Sequence, residues 1–157
     1  MEAYLGLLNL LDRGLVRAIG TSNFKPAYLQ RLLDLGLTPR LNQIQLDPYH
    51  HRDDLIELHQ RHGIVTESWR PLGYGNAMLA APVILAIAEQ HQRTPAQVVQ
   101  PWSVQQGFAT ATKSSNPQRI ADNLKIFDFS LTTEEMSSLN SLGHDDPDML
   151  DADQFGH

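Results

Sequence analysis

The sequence predicts an α/β fold of parallel β/α units, in the form of a partial (β/α)8 barrel. Three observations carry this. Short apolar segments alternate with longer stretches of helical periodicity, and each helix-to-strand link is only a few residues long. Three of those segments, within residues 16–24, 64–69 and 108–116, end in polar or aromatic residues. No Gly-x-Gly-x-x-Gly run follows any of them, so a doubly wound dinucleotide-binding sheet lacks its phosphate loop. A complete eight-unit barrel needs roughly 200 residues or more. The chain has 157 residues, room for about four units, or half a barrel.

Each element has a local reason. Tyr4, Leu7, Leu8, Leu10 and Leu11 recur at helical spacing, and Gly14 offers a stop. Residues 15–20 then read as a strand. Pro26 suits the first helical position, where a missing N–H costs nothing. Leu29, Leu32, Leu33 and Leu35 give that second helix a buried face, closed by Gly36. Residues 41–46 are short and apolar, as a barrel strand is. A helix over 53–62, closed by Gly63, leads into a strand at 64–68.

After the turn-rich residues 71–76 comes a helix over 82–91. Thr94 with Pro95 opens another, over 95–106. Residues 108–112 form the fourth strand, and Asn116 with Pro117 repeats the cap-and-proline signal. Thr132-x-x-Glu135 is a capping box for a last helix over 133–142. The expected organisation is one barrel-like segment, 1–143, and an acidic tail without periodicity, 144–157.

Composition narrows the function classes. Net charge is -6 with 12 Lys plus Arg, which argues against nucleic acid as a partner. There are no cysteines, hence no disulfide framework and no thiolate chemistry. No apolar run has the length of a membrane span, and the first residues lack the basic start of a secretory signal. The expected setting is cytoplasmic. The histidines His50, His51, His59 and His62 have no carboxylate or Cys at a recognisable ligand spacing, so no metal site is expected. The tail carboxylates lack the Gly and Glu positions of a calcium loop.

Parallel β/α proteins bind ligands at the C-terminal ends of their strands. Those ends carry Ser22 and Asn23; Asp47 and His50; Trp69 and Arg70; Lys113, Ser114 and Ser115. Asn, Ser and Gln43 can hydrogen-bond an amide. Trp69 offers a flat face for a heteroaromatic ring. Lys113 and Ser114 precede a capped helix whose N-terminus favours an anion, and Arg119 in its first turn suits a phosphate. An amide binder, a stacking ring and a phosphate clamp suit a phosphorylated dinucleotide.

The stretches 14–24, Asn42-Gln43-Ile44, Glu67-Ser68-Trp69-Arg70-Pro71-Leu72-Gly73, 94–99, Lys113-Ser114, Asn123 and 127–136 together resemble the aldo-keto reductase family, especially its bacterial 2,5-diketogluconate reductase-like group. The resemblance covers nearly the whole chain and places it in the C-terminal half of the barrel. It implies an NADPH-dependent reductase acting on a small-molecule carbonyl. Ser22, Asn23 and Gln43 match positions holding the nicotinamide carboxamide, and Trp69 the ring that stacks on nicotinamide. Leu72 and Gly73 match a loop near the pyrophosphate. Lys113, Ser114 and Arg119 match positions around the adenosine 2′-phosphate, and Asp122 and Asn123 those near adenine.

The family's catalytic Asp, Tyr, Lys and His fall in the first half of the barrel and have no counterpart here. The expectation is therefore a truncated chain that keeps the cofactor half, with no catalytic residue of its own. Arg70 stands where the family usually has a small Ser. Pro101 and Ser103 replace an Arg and often a His, and Thr112 replaces the proline before the Lys-Ser pair. These departures leave an alternative: a non-enzymatic half-barrel with weak or no nucleotide binding, which self-associates or recruits a partner through open strand edges.

Overall fold

The computed structural model describes residues 2–73, 77–144 and 153. Its elements alternate as the sequence predicts. They are α1 Glu2–Asp12, β1 Thr21–Ser22, α2 Pro26–Leu33, β2 Leu41–Gln45, α3 Asp53–His62, β3 Val65–Trp69, α4 Pro82–His91, α5 Pro95–Gln105, β4 Ala109–Ala111, α6 Pro117–Leu124 and α7 Thr133–Asn140. A single 3-10 turn, Met78–Ala80, precedes α4. The strands follow chain order, β1-β2-β3-β4. Thr21 pairs with Asn42 and Ser22 with Gln43, in parallel. Glu67, Ser68 and Trp69 pair with Ala109, Thr110 and Ala111, also in parallel.

The chain divides into two units. One comprises Met1–Ile44 and Asp53–Thr66, the other Gln45–Arg52 and Glu67–His157. In the first, Tyr4, Ile19 and Leu32 are buried together, with Leu8, Leu11, Val16, Phe24 and Leu37 packed on them. Tyr4, Leu8 and Leu11 lie four and three residues apart, the spacing that puts side chains on one helical face. In the second, Ile84, Ile87 and Ala88 of α4 pack with Val98, Val99 and Trp102 of α5 and with Leu139 of α7.

The capping signals act as the sequence implies. Thr94 and Gln97 form a reciprocal capping box on α5, and Thr132 and Glu135 another on α7. Each satisfies backbone N–H groups that the first turn leaves without a helical partner. α5 runs on through Pro101 to Gln105. Gly63 ends α3 at φ +65, a conformation that costs glycine least.

Two expectations fail. The strand read at 15–20 is displaced: ladder pairing begins at Thr21, and Ile19 contributes only its carbonyl, to the Arg40 N–H. Val16 packs against the cluster that Ile19 forms with Tyr4 and Leu32, and a separation of three does not put two side chains on one face of a pleated strand. Leu35 lies beyond the end of α2 and is 60% exposed, so it is no part of that helix's buried face. The last strand and helix begin or end within two residues of expectation. The acidic tail lies outside the described residues, apart from His144 and Asp153.

Candidate functional site

In the first unit the register brings three expected residues together. Ser22 is the cross-strand partner of Gln43, and the Asn23 N–H donates to the Gln43 carbonyl at 2.7 Å. Asn23 has φ +56, a left-handed turn that Asn tolerates better than most residues. It takes the chain out of β1.

The turn is held from below by Asn42. Its Nδ2 donates to the Phe24 carbonyl at 2.9 Å, and its Oδ1 accepts from the Phe24 N–H at 3.3 Å. Thr21 Oγ1 donates to the same Oδ1 at 2.9 Å. The second Asn42 hydrogen reaches His59 Nε2 at 3.1 Å, and His59 Nδ1 donates to Thr66 Oγ1 at 2.8 Å. A buried side-chain network thus fixes the backbone that carries Ser22 and Asn23. Burial drives the His59 pKa down to about 4, with the Asp54 charge partly opposing.

In the second unit, Ser68 Oγ donates to the Leu46 carbonyl, tying the two strand ends. Asp47 and His50 lie just beyond: His50 Nδ1 is 2.8 Å from Asp47 Oδ2, and Asp47 Oδ1 accepts from the Tyr49 and His50 N–H groups. Trp69 ends β3 half-buried, with the Arg70 guanidinium over its ring at 5.1 Å. Arg70 adopts φ +53 and its carbonyl accepts from the Gly73 N–H. Residues 70–73 therefore close a tight turn that presents Leu72. A Cβ on Gly73 would sit 3.3 Å from the Met78 methyl.

A cleft of about 580 Å³ in this unit is lined by Lys113 and Ser114, by Thr110 and Thr112, by Gln100, and by Ile120, Asn123, Leu124, Ile126 and Phe127. That size suits a small-molecule ligand, typically about 300–1,000 Å³. Lys113, Ser114 and Asn123 are thus brought together. Arg119 and Asp122 are not among the lining residues. Asp122 instead takes hydrogen bonds from Gln118 Nε2 and Lys125 Nζ. The Gln118 bond, assisted by Lys125, lowers its carboxyl pKa.

The N-terminus of α6 differs from expectation in one respect. Pro117 has no N–H. Asn116 Oδ1 accepts from the N–H groups of Gln118 at 2.9 Å and Arg119 at 3.2 Å. The Ile120 N–H already bonds the Asn116 carbonyl. An anion here therefore meets side chains and the helix dipole rather than unoccupied backbone donors.

Sequence reasoning did not single out Gln100, and it met Asn42 and Phe127 only within stretches that carry the family resemblance, with no role of their own. Asn42 sits inside a strand, Gln100 inside a helix, and Phe127, exposed, lies beyond the end of α6. Only the register and the helix phase reveal them.

Residues 1–144 match the Aldo/keto reductase family. An aldo-keto reductase of Mycolicibacterium smegmatis is 44% identical over 143 residues, covering 90% of this chain and 52% of that protein. One from Mycobacterium bovis is 38% identical over the same length. Among solved structures, the D53A variant of Gox0644 in complex with NADPH superposes with a TM-score of 0.90 at 41% identity. It covers 96% of this chain and 56% of its own. An aldo/keto reductase from Brucella melitensis gives a TM-score of 0.83 at 38% identity, covering 88% of this chain and 53% of its own. The chain thus spans about half the length of the relatives it matches.

Proposed function

The chain belongs to the aldo/keto reductase family, and we propose that it forms the NADPH-binding half of an oxidoreductase that reduces a small-molecule carbonyl. The observation that carries this is the cleft of the second unit, where Lys113, Ser114 and Asn123 converge beside Ile120, Leu124 and Phe127. An ammonium and a hydroxyl suit the 2′-phosphate, and the apolar wall suits a purine. Arg119, exposed in the first turn of α6, adds charge at that end. Asp122, held by Gln118 and Lys125, supports the helix that carries Asn123.

Ser22, Asn23 and Gln43 hold the nicotinamide carboxamide, with Asn42 setting their turn. Trp69 supplies the stacking face, and Leu72 and Gly73 border the pyrophosphate. NADPH, when bound, supplies the hydride. The residues here bind and orient it. The described tyrosines have other roles: Tyr4 is core, Tyr28 packs edge-on against Phe24, and Tyr49 against His144. On this reading the chain binds the cofactor without itself supplying the proton donor, and the setting is cytoplasmic.

Titration calorimetry with NADPH and NADH tests the proposal. NADPH should bind tighter, by roughly tenfold or more, as one or two charge-assisted hydrogen bonds require. Equal affinity, or no binding, would overturn it. Steady NADPH oxidation with small aldehydes, abolished by mutating this chain, would overturn the second part.

A second reading is favoured by the strand order. β1 and β4 are its terminal strands, and an unpaired strand edge invites pairing with another chain. Self-association should then appear as dimers or larger species in sedimentation. A monodisperse monomer would sink it.

A further inference from the structure

Gln100 lies in the middle of α5 and is 2% exposed. A carboxamide buried this deeply is costly unless its polar atoms are bonded. Its Nε2 donates to Oδ1 of Asn123 at 3.0 Å. Both residues line the same cleft. Asn123 has one carbonyl oxygen and two N–H donors. With the oxygen turned to Gln100, the nitrogen end is what Asn123 offers a ligand. Among the described residues, Asn123 Nδ2 donates to no protein group.

Around that donor the walls are apolar. Ile120, Leu124 and Phe127 border the cleft, and Phe127 is 74% exposed. A planar heteroaromatic ring fits a flat, wet aromatic face with an amide donor at its edge.

We infer that Gln100 is a positioning residue that sets base recognition in this cleft: it holds the Asn123 amide with Nδ2 toward the ligand, so that the cleft reads a ring-nitrogen acceptor of a purine rather than its exocyclic amine. The inference rests on the nucleotide reading of the cleft given above. Without the Gln100 donor the Asn123 amide is free to turn over and offer either end, and the discrimination goes.

The test uses the whole chain and adenosine bisphosphate carrying the 2′-phosphate. Two kinds of analogue accompany it: deaza forms, in which one ring nitrogen at a time becomes C–H, and purine riboside bisphosphate, which lacks the exocyclic amine. For the unaltered chain, one deaza form should bind about fivefold or more weakly, as the loss of one buried hydrogen bond requires. The amine-free analogue should bind within about twofold of the parent.

In Gln100→Met and Gln100→Leu, the deaza penalty should shrink to within about twofold. The ratio between analogues is the readout, since a merely structural role would weaken all of them alike. Met keeps the length and Leu the apolar character of a helix interior, so a folding defect in one leaves the other to decide. If the parent bisphosphate does not bind, the nucleotide reading of the cleft fails and takes this inference with it. If it binds and the analogue ratios are the same in all three proteins, only the role of Gln100 is overturned.

Discussion

Nε2 of His59 lies 3.1 Å from Nδ2 of Asn42, and because that amide nitrogen can only donate, the imidazole must accept. The ring is therefore neutral, with its proton on Nδ1 facing Thr66. Its folded pKa of about 4 lies below the ordinary 6.5. Between those values the unfolded chain binds more protons than the folded one. The stabilisation is complete above the ordinary value and is lost as pH falls toward the folded one. It amounts to about 3 kcal/mol. Urea unfolding across that window should show the wild type losing stability with acid more steeply than His59→Gln. Parallel curves would refute a neutral, buried His59.

Glu135 serves two elements at once. One carboxylate oxygen accepts the Thr132 N–H at 2.7 Å, and the other lies 2.8 Å from His91 Nε2. Glu135→Ala removes half of the α7 capping box and the tie to the end of α4. It should cost about 2 kcal/mol, of which a cap alone accounts for about 1. Glu135→Gln keeps most of the cap, so it should cost less in the same denaturation experiment.

Gly20 shows how closely the chain passes β2. A Cβ there would lie 2.7 Å from Leu41 Cγ and 2.8 Å from the Leu41 carbonyl oxygen. Gly20→Ala should destabilise by about 1–3 kcal/mol, as overpacking does. Gly14→Ala meets no neighbouring atom and acts only through its backbone conformation. Comparing the melting temperatures of the two variants separates contact from conformation.

Lys113 and Trp69 should divide the cofactor between them. Lys113→Ala should abolish most of the NADPH preference over NADH, a loss of about 1.5–3 kcal/mol for the phosphorylated form alone. Trp69→Ala should weaken both cofactors by the same factor. Calorimetry of the two variants decides it. An unchanged preference in Lys113→Ala leaves that residue a surface charge.

The helices were legible where the chain punctuates itself. Asp53–His62 and Pro82–His91 are as read, because glycine or proline marks their ends. The segment 15–20 misled, since Val16 and Ile19 serve the packing around Tyr4 and Leu32 rather than a pleated face. Lys113, Ser114 and Asn123 were legible as strand-end and helix residues and do share a cleft. Arg119 and Asp122, on the same helix α6, do not line it, and Asp122 is engaged by Gln118 and Lys125, which spacing alone does not distinguish. Gln100 carries no local signal at all: one glutamine in a helix gains meaning only from what α6 sets beside it.

The chain has two tryptophans, and their surroundings differ. Trp102 is 1% exposed, its indole N–H given to Asn140 Oδ1 at 2.7 Å. Trp69 stands half-buried beneath a guanidinium. Light absorbed by these rings is thus emitted from two unlike environments, one sealed and one open to change. Trp102 has the His51 ring stacked on it at 5.9 Å. Trp69 would be the variable channel, because a ring taking the place of Arg70 on its face would alter its quenching. If the proposed cofactor binds there, the protein would carry its own optical gauge of occupancy, with no label to attach.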